Sequence, residues 1–190
     1  MQPAAGEENK MKQKAMDVKL VVRPIMGWLT HSHFWEGPCR AGRAEDLTAE
    51  AEGRAADAAF EAAKGKLKEA TDEIVFLPAI DARYDEKFVV GEDVFAQIEQ
   101  DIDKVDFFLC MNWRIPKLER YRKPIVIMQN GNEGIDFAAY CRSIGVEAHV
   151  CMDIKDLNEL AHALWVRKAV ANPTPWCSPR AGSPPSAFKA

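Results

Sequence analysis

Two histidines separated by one residue are the most suggestive metal-ligand types in the sequence. His31 and His33 are followed closely by Glu36 and Cys39, and imidazole, carboxylate and thiolate groups all bind zinc and related metals. The other histidines lie far along the chain, in a predicted strand and a predicted helix, so no second histidine-rich cluster completes a site. The favoured interpretation is a loop with two surface or packing histidines, and no metal ligand is assigned within this chain.

Three tryptophans suggest a different chemistry. Trp28, Trp35 and Trp113 each follow a predicted strand, close to Arg, His and Asn side chains. Such a combination can stack on the C–H face of a sugar and donate hydrogen bonds to its hydroxyl groups. The alternative is that large aromatic side chains cover the top of the sheet or pack against a neighbouring domain. Both interpretations stay open, and both place a partner at this edge.

The elements that must position these residues alternate regularly along the chain. Apolar, β-branched runs predict five strands at residues 18–26, 73–78, 105–110, 124–128 and 146–151. Between and after them, amphipathic patterns predict helices at residues 48–70, 92–103, 134–143 and 153–170. Near-continuous apolar strands are typical of a parallel sheet covered on both faces. We therefore predict a doubly wound α/β domain, a flavodoxin-like or Rossmann-like three-layer sandwich with a five-stranded, mostly parallel sheet in the order 2-1-3-4-5.

In such a sheet, ligands bind at the carboxyl ends of the strands. Asp81 and Arg83 follow the second predicted strand, Asn112 follows the third, and an Asn/Gly-rich turn at residues 129–134 follows the fourth. That turn could direct backbone N–H groups at an anion, although it is equally ordinary connection chemistry. No G-x-G-x-x-G follows the first strand and no Walker loop is present, which disfavours dinucleotide and nucleoside triphosphate binding.

Composition narrows the class of protein further. A chain of 190 residues with a net charge of −4 is long enough for one ordinary core and gives no reason to expect nucleic acid. The basic run at residues 114–123 is interpreted as a solvated turn. No apolar stretch reaches the length of a membrane span, and the N-terminus lacks the apolar run of a signal peptide. The five cysteines show no C-x-x-C spacing, which predicts a reducing, cytoplasmic location.

Several segments together resemble the N-terminal region of the L-fucose/L-arabinose isomerase family. The first strand contains Arg23-Pro24, and a long loop carrying Phe34-Trp-Glu-Gly-Pro-Cys-Arg40 precedes the first helix. The second strand ends at Pro78. Three further segments carry the resemblance: Val105-Asp-Phe-Phe-Leu109, Lys123-Pro-Ile-Val-Ile127 and Arg142-Ser-Ile-Gly-Val-Glu-Ala148. It covers residues 18–170, nearly the whole ordered part of the chain.

The resemblance implies a function. Such enzymes interconvert an aldose and a ketose, typically with Mn²⁺ held by a Glu, an Asp and a His in later domains, outside this chain. The N-terminal domain contributes oligomer contacts and some contacts to the small sugar substrate. The positions implied here for substrate binding are Arg23, His31, Trp35, Arg40 and Trp113. We expect this chain alone to be inactive, with no catalytic residue of its own, and the full-length protein to be a homo-oligomer. The alternative is a stand-alone flavodoxin-like domain that binds a small ligand or another protein.

The domain organisation follows from the same patterns. Residues 1–16 read as a flexible leader, residues 17–171 as the α/β domain, and residues 172–190 as a Pro/Ser-rich disordered tail. Proline removes a backbone donor, so the tail cannot continue the sheet. We favour a truncated or frameshifted reading of a longer isomerase at this point. A native disordered tail or linker is the other interpretation.

Overall fold

The centre of the molecule is one parallel sheet. The computed structural model describes residues 18–30, 48–84, 87–128 and 131–171. Every strand pair in them is parallel, and the order is β2-β1-β4-β5-β6, with β3 also paired to β1. The strands are β1 (Leu20–Leu29), β2 (Ile74–Phe76), β3 (Ile80–Tyr84), β4 (Phe107–Asn112), β5 (Ile125–Met128) and β6 (Ala148–Cys151).

Two short strands share one edge of this sheet. β2 pairs with the first half of β1 and β3 pairs with its second half, and Pro78 lies between them. The five predicted positions and the order 2-1-3-4-5 are therefore confirmed, with the edge position split in two. The prediction that Asp81 and Arg83 follow the second strand is wrong, because both lie within β3. Proline interrupts strand pairing, and an edge position tolerates the interruption.

Four helices flank the sheet, as the sequence predicted. They are α1 (Ala49–Lys66), α2 (Glu92–Glu99), α3 (Asn132–Ser143) and α4 (Ile154–Ala171). Thr48 caps α1 by accepting a hydrogen bond from the backbone N–H of Ala51 at 3.1 Å. Gly145 follows α3 with a φ of +76°, a left-handed conformation that favours glycine. The ends predicted for α1 and α2 fall instead in short 3₁₀ turns, Leu67–Glu69 and Ile102–Lys104.

The helices cover the two faces of the sheet unequally. On the α2/α3 face, large apolar side chains form one cluster with the sheet, and many of them are fully buried: Ile25, Phe95, Ile98, Phe108, Ile127 and Phe137. On the α1/α4 face, a second cluster is centred nearer the amino ends of the strands and includes Leu20, Val22, Phe107, Leu109, Leu157 and Leu164. The result is the predicted three-layer α/β fold. Within the residues described, no helix is long and apolar enough to cross a bilayer.

Candidate functional site at the carboxyl edge of the sheet

The connections of the sheet change direction between β1 and β4. From β1 the chain passes to β2 on one side, whereas from β4 it passes to β5 on the other, and β1 and β4 are neighbours. In open α/β sheets this change leaves a crevice beyond the carboxyl ends of the two strands, where ligands bind. The carboxyl ends of β1 and β4 are therefore the first place to look for a site.

On the α2/α3 face the chain itself closes this crevice. A Cβ atom at Gly27 would lie only 2.6 Å from the backbone oxygen of Trp113, so the absence of a side chain allows the loop after β4 to approach. Asn112, with a φ of +68°, starts the loop and donates a hydrogen bond from its side chain to the Gly27 carbonyl at 3.1 Å. Ile115 is fully buried beneath the loop. The left-handed Asn112 is tolerated because these contacts hold it in place.

On the α1/α4 face the same level of the sheet carries a row of sulfur-containing side chains. Met26 of β1 is in register with Met111 of β4, Met111 with Met128 of β5, and Met128 with Cys151 of β6. Met26 and Met111 are almost fully buried, at 4% and 5% exposure, whereas Met152, just after β6, is 57% exposed. Residues in register on parallel strands point to the same face, so the row forms a continuous surface.

The methionine row forms the floor of an open groove of about 630 Å³. One wall is α1, which presents small side chains: Ala59, Ala62 and Ala63. The opposite wall is the start of α4, with Met152 and Ile154, and Asn112, Lys66, Glu69 and Asp153 complete the lining. We call this feature the methionine groove. Its volume and its mixture of apolar lining and a few polar groups are those of a small-molecule site.

Arg23 does not lie at the carboxyl edge. It is 4% exposed and stands in the middle of β1, opposite the interruption between β2 and β3. Its guanidinium group donates to the Pro78 carbonyl at 2.7 Å and pairs with the Asp101 carboxylate at 2.8 Å. The Lys104 ammonium and the Arg23 guanidinium hold the pKa of Asp101 below its usual range, with the lysine hydrogen bond the larger cause. In this structure Arg23 joins the broken edge strand to the end of α2.

Trp113 is the described member of the predicted substrate-binding set that lies at the carboxyl edge. It is half-buried and packs against the α2/α3 cluster. Arg114, next in the chain, lies over the ring of Phe88 at 5.4 Å, and its carbonyl accepts a hydrogen bond from the Tyr84 hydroxyl. The other predicted positions, His31, Trp35 and Arg40, lie outside the described residues, as do His33, Glu36 and Cys39.

Charged residues elsewhere on the edge pair with each other. Arg83 on β3 donates to the carboxylates of Asp81 and of Asp57 on α1, and these bonds, that to Asp81 first, raise the pKa of Arg83 above its usual range. This cluster fastens α1 to the edge strand. In the basic run predicted as a turn, Arg120 pairs with Glu99 and stacks on Phe95, and residues Leu118–Tyr121 form a 3₁₀ turn.

The described residues do not fit a metal centre. Among them, no group of three or more His, Cys, Asp or Glu side chains could hold an ion. Cys110, Cys141 and Cys151 are free and buried, as the sequence predicted, and burial raises the pKa of the Cys110 thiol to about 12 and that of Cys151 to about 11. A protonated thiol is a poor metal ligand and nucleophile.

Sequence reasoning missed the methionine groove, although a signal was present. The sequence has seven methionines, and Met26, Met111, Met128 and Met152 are all of those beyond residue 16. Each lies at or just after the end of a strand that reaches the same edge. Recurrence of a flexible, polarisable residue at these positions predicts a common surface once the strand order is known.

Comparisons with known proteins leave the site to be interpreted from its own geometry. No family model matches the chain, and no curated protein or solved structure matches it either.

Proposed function

We propose that this chain is the N-terminal domain of a metal-dependent aldose–ketose isomerase of the L-fucose/L-arabinose type. The supporting observation is one of extent: the residues that carry the resemblance run from 18 to 170, and the parallel-sheet unit, from Leu20 to Ala171, occupies the same stretch. Because a doubly wound fold serves many chemistries, the proposal rests on the quoted segments, and the fold is compatible with it.

The carboxyl edge is the part of the domain that would serve the isomerase. Trp113 and Arg114 stand there on a loop that is fixed by Gly27 and Asn112, so an aromatic and a cationic side chain are held at a defined position. They would contact the sugar or another subunit of a cytoplasmic homo-oligomer. Mn²⁺ and its Glu, Asp and His ligands would come from domains outside this chain, and no step of the reaction is assigned to the residues described.

The test is enzymatic. The coding DNA beyond codon 172 is read in all three frames, and residues 1–171 are expressed with the continuation that encodes further α/β sequence. We expect Mn²⁺-dependent ketose formation from L-fucose, L-arabinose or a related pentose or 6-deoxyhexose. Trp113→Ala should raise the KM for the sugar, whereas Tyr140→Ala, a matched control on the exposed surface of α3, should not. A stop with no coding continuation, or a restored protein inactive on all these sugars, overturns the proposal.

A second function is favoured by a separate observation. The methionine groove is open and lies at the topological position where α/β domains bind ligands, which favours a stand-alone small-ligand-binding domain. A thermal-shift screen on the 190-residue chain addresses it, because a ligand that binds only the folded state raises the Tm. A sugar that stabilises the chain at the Trp113 edge would instead favour the isomerase domain.

A further inference from the structure

We propose that the methionine groove binds a flat heteroaromatic molecule, with the face of the ring on the methionine row and its polar edge at the mouth. This inference is independent of the isomerase proposal, because it rests on the described residues of this chain alone. Its basis is the combination of a sulfur-lined floor, small-residue walls and a mouth that carries both signs of charge.

The floor fits a ring in size and in chemistry. Met26, Met111 and Met128 lie in register on three adjacent strands, and neighbouring strands are about 4.8 Å apart. The row therefore spans about 10 Å, comparable to the length of a fused ring system. Methionine thioethers make favourable contacts with aromatic rings, and the unbranched side chain adjusts to the outline of the ligand.

The walls leave a space of the right shape. Helix α1 presents only methyl groups to the groove at Ala59, Ala62 and Ala63, so the helix and the sheet do not fill the space between them. Met152 and Ile154 bound the other side. A slot between two apolar walls excludes water from the two faces of a thin ligand and leaves its edge exposed, which is the arrangement that a planar ring needs.

The mouth determines which ring edges are acceptable. Lys66 offers a cationic donor, and the carboxylates of Glu69 and Asp153 offer acceptors, all on exposed residues. A ligand with donors and acceptors on its edge and little net charge matches this mixture. A sugar does not match the floor, because methionine side chains have no strong hydrogen-bonding group for its hydroxyls. A single soft metal ion would use only a small part of a 630 Å³ groove.

The experiment is isothermal titration of the 190-residue chain with three probes. Adenosine and riboflavin represent two-ring and three-ring heteroaromatics, and L-fucose is the non-aromatic control. We expect binding of at least one ring compound with a dissociation constant below about 1 mM and no heat with L-fucose. Absence of heat with both ring compounds up to about 1 mM overturns the proposal.

Variants locate the binding. Ala59→Leu fills the slot and should weaken ring binding at least tenfold, and Met128→Gln, which places an amide in the floor, provides a second test if Ala59→Leu does not fold. The matched control is Val89→Ser, since Val89 is 62% exposed on the α2/α3 side and its change should leave affinity unaltered. Equal effects of groove and control variants contradict the proposal. So does stoichiometric Ag⁺ binding that Met128→Gln abolishes while neither ring compound binds, because that result identifies a soft-metal site.

Discussion

The two faces of one sheet end differently at the same level. At Gly27, on the α2/α3 face, a missing side chain lets the loop after β4 close over the strands. At Met26, one residue earlier and on the opposite face, the neighbouring strands contribute further methionines and the helix above contributes alanines, so a groove remains. Adjacent residues of one strand thus support a closed, tightly packed edge on one side and an accessible surface on the other. Stability and binding are divided between the faces.

The largest expected effect is loss of the buried ion pair on the closed face. Arg23→Met leaves the Pro78 carbonyl and the Asp101 carboxylate without their guanidinium partner, and we expect the free energy of unfolding to fall by about 3 kcal/mol. Urea unfolding measures the change. The control is Lys104→Met, which removes the exposed partner of the same carboxylate and should cost less than about 0.5 kcal/mol. A loss at Arg23 no greater than at Lys104 contradicts the structural role of Arg23.

Gly27→Ala tests the closure directly. The new Cβ would lie 2.6 Å from a backbone oxygen that cannot move without displacing the loop, so we expect a destabilisation of about 2–3 kcal/mol in urea unfolding. Gly53→Ala is the matched control, because nothing lies within 4 Å of the added atom and alanine stabilises a helix interior relative to glycine by about 0.5–1 kcal/mol. If both variants change stability in the same direction, the edge is not closed at Gly27.

The faces should respond oppositely when a side chain is enlarged. Ala59→Leu adds apolar volume to an unfilled groove and should raise the free energy of unfolding by up to about 1 kcal/mol. Ala138→Leu adds the same volume at a helix position that is 1% exposed on the α2/α3 face, where overpacking should cost about 2 kcal/mol. Thermal and urea unfolding of the pair give the comparison. Similar losses at both positions would mean that the two faces are equally packed.

Thiol reactivity sharpens the comparison at depth. Burial raises the pKa of Cys110, on the α2/α3 face, to about 12 and that of Cys151, at the end of the methionine row, to about 11. At pH 8 the thiolate fraction of Cys151 is then only about one in a thousand. We expect both to be alkylated by iodoacetamide at least about 100-fold more slowly in the native chain than in urea, followed by peptide mass spectrometry. Rapid native labelling of Cys151 alone would show that the open face extends below the methionine row.

How much of this could be predicted depends on how far apart the interacting residues lie. The strands come from local apolar runs such as residues 105–110 and 124–128, and their order follows from the limited ways in which such units pack. The capping role of Thr48 and the helix-ending role of Gly145 are local too, and were predicted. The function of Arg23 was not, because its partners lie 55 and 78 residues away.

The methionine groove illustrates the same limit. Each methionine is visible at a strand end, but their alignment depends on the register between β1, β4 and β5, which no local pattern fixes. The split edge strand was missed for a related reason, since Pro78 reads as the end of a strand until the second half is seen to pair with β1. Tertiary register therefore determines both the closed edge and the open one.

The most direct test of the central claim uses methyl NMR. The chain is labelled with [methyl-¹³C]methionine and with isoleucine δ1-¹³CH₃, then titrated with riboflavin or adenosine. The account predicts saturable shifts for the methyl groups of Met111 and Met128 on the α1/α4 face and no change for Ile25 and Ile127 on the α2/α3 face. Shifts confined to the isoleucines, or no saturable shift of any groove methionine, would contradict it.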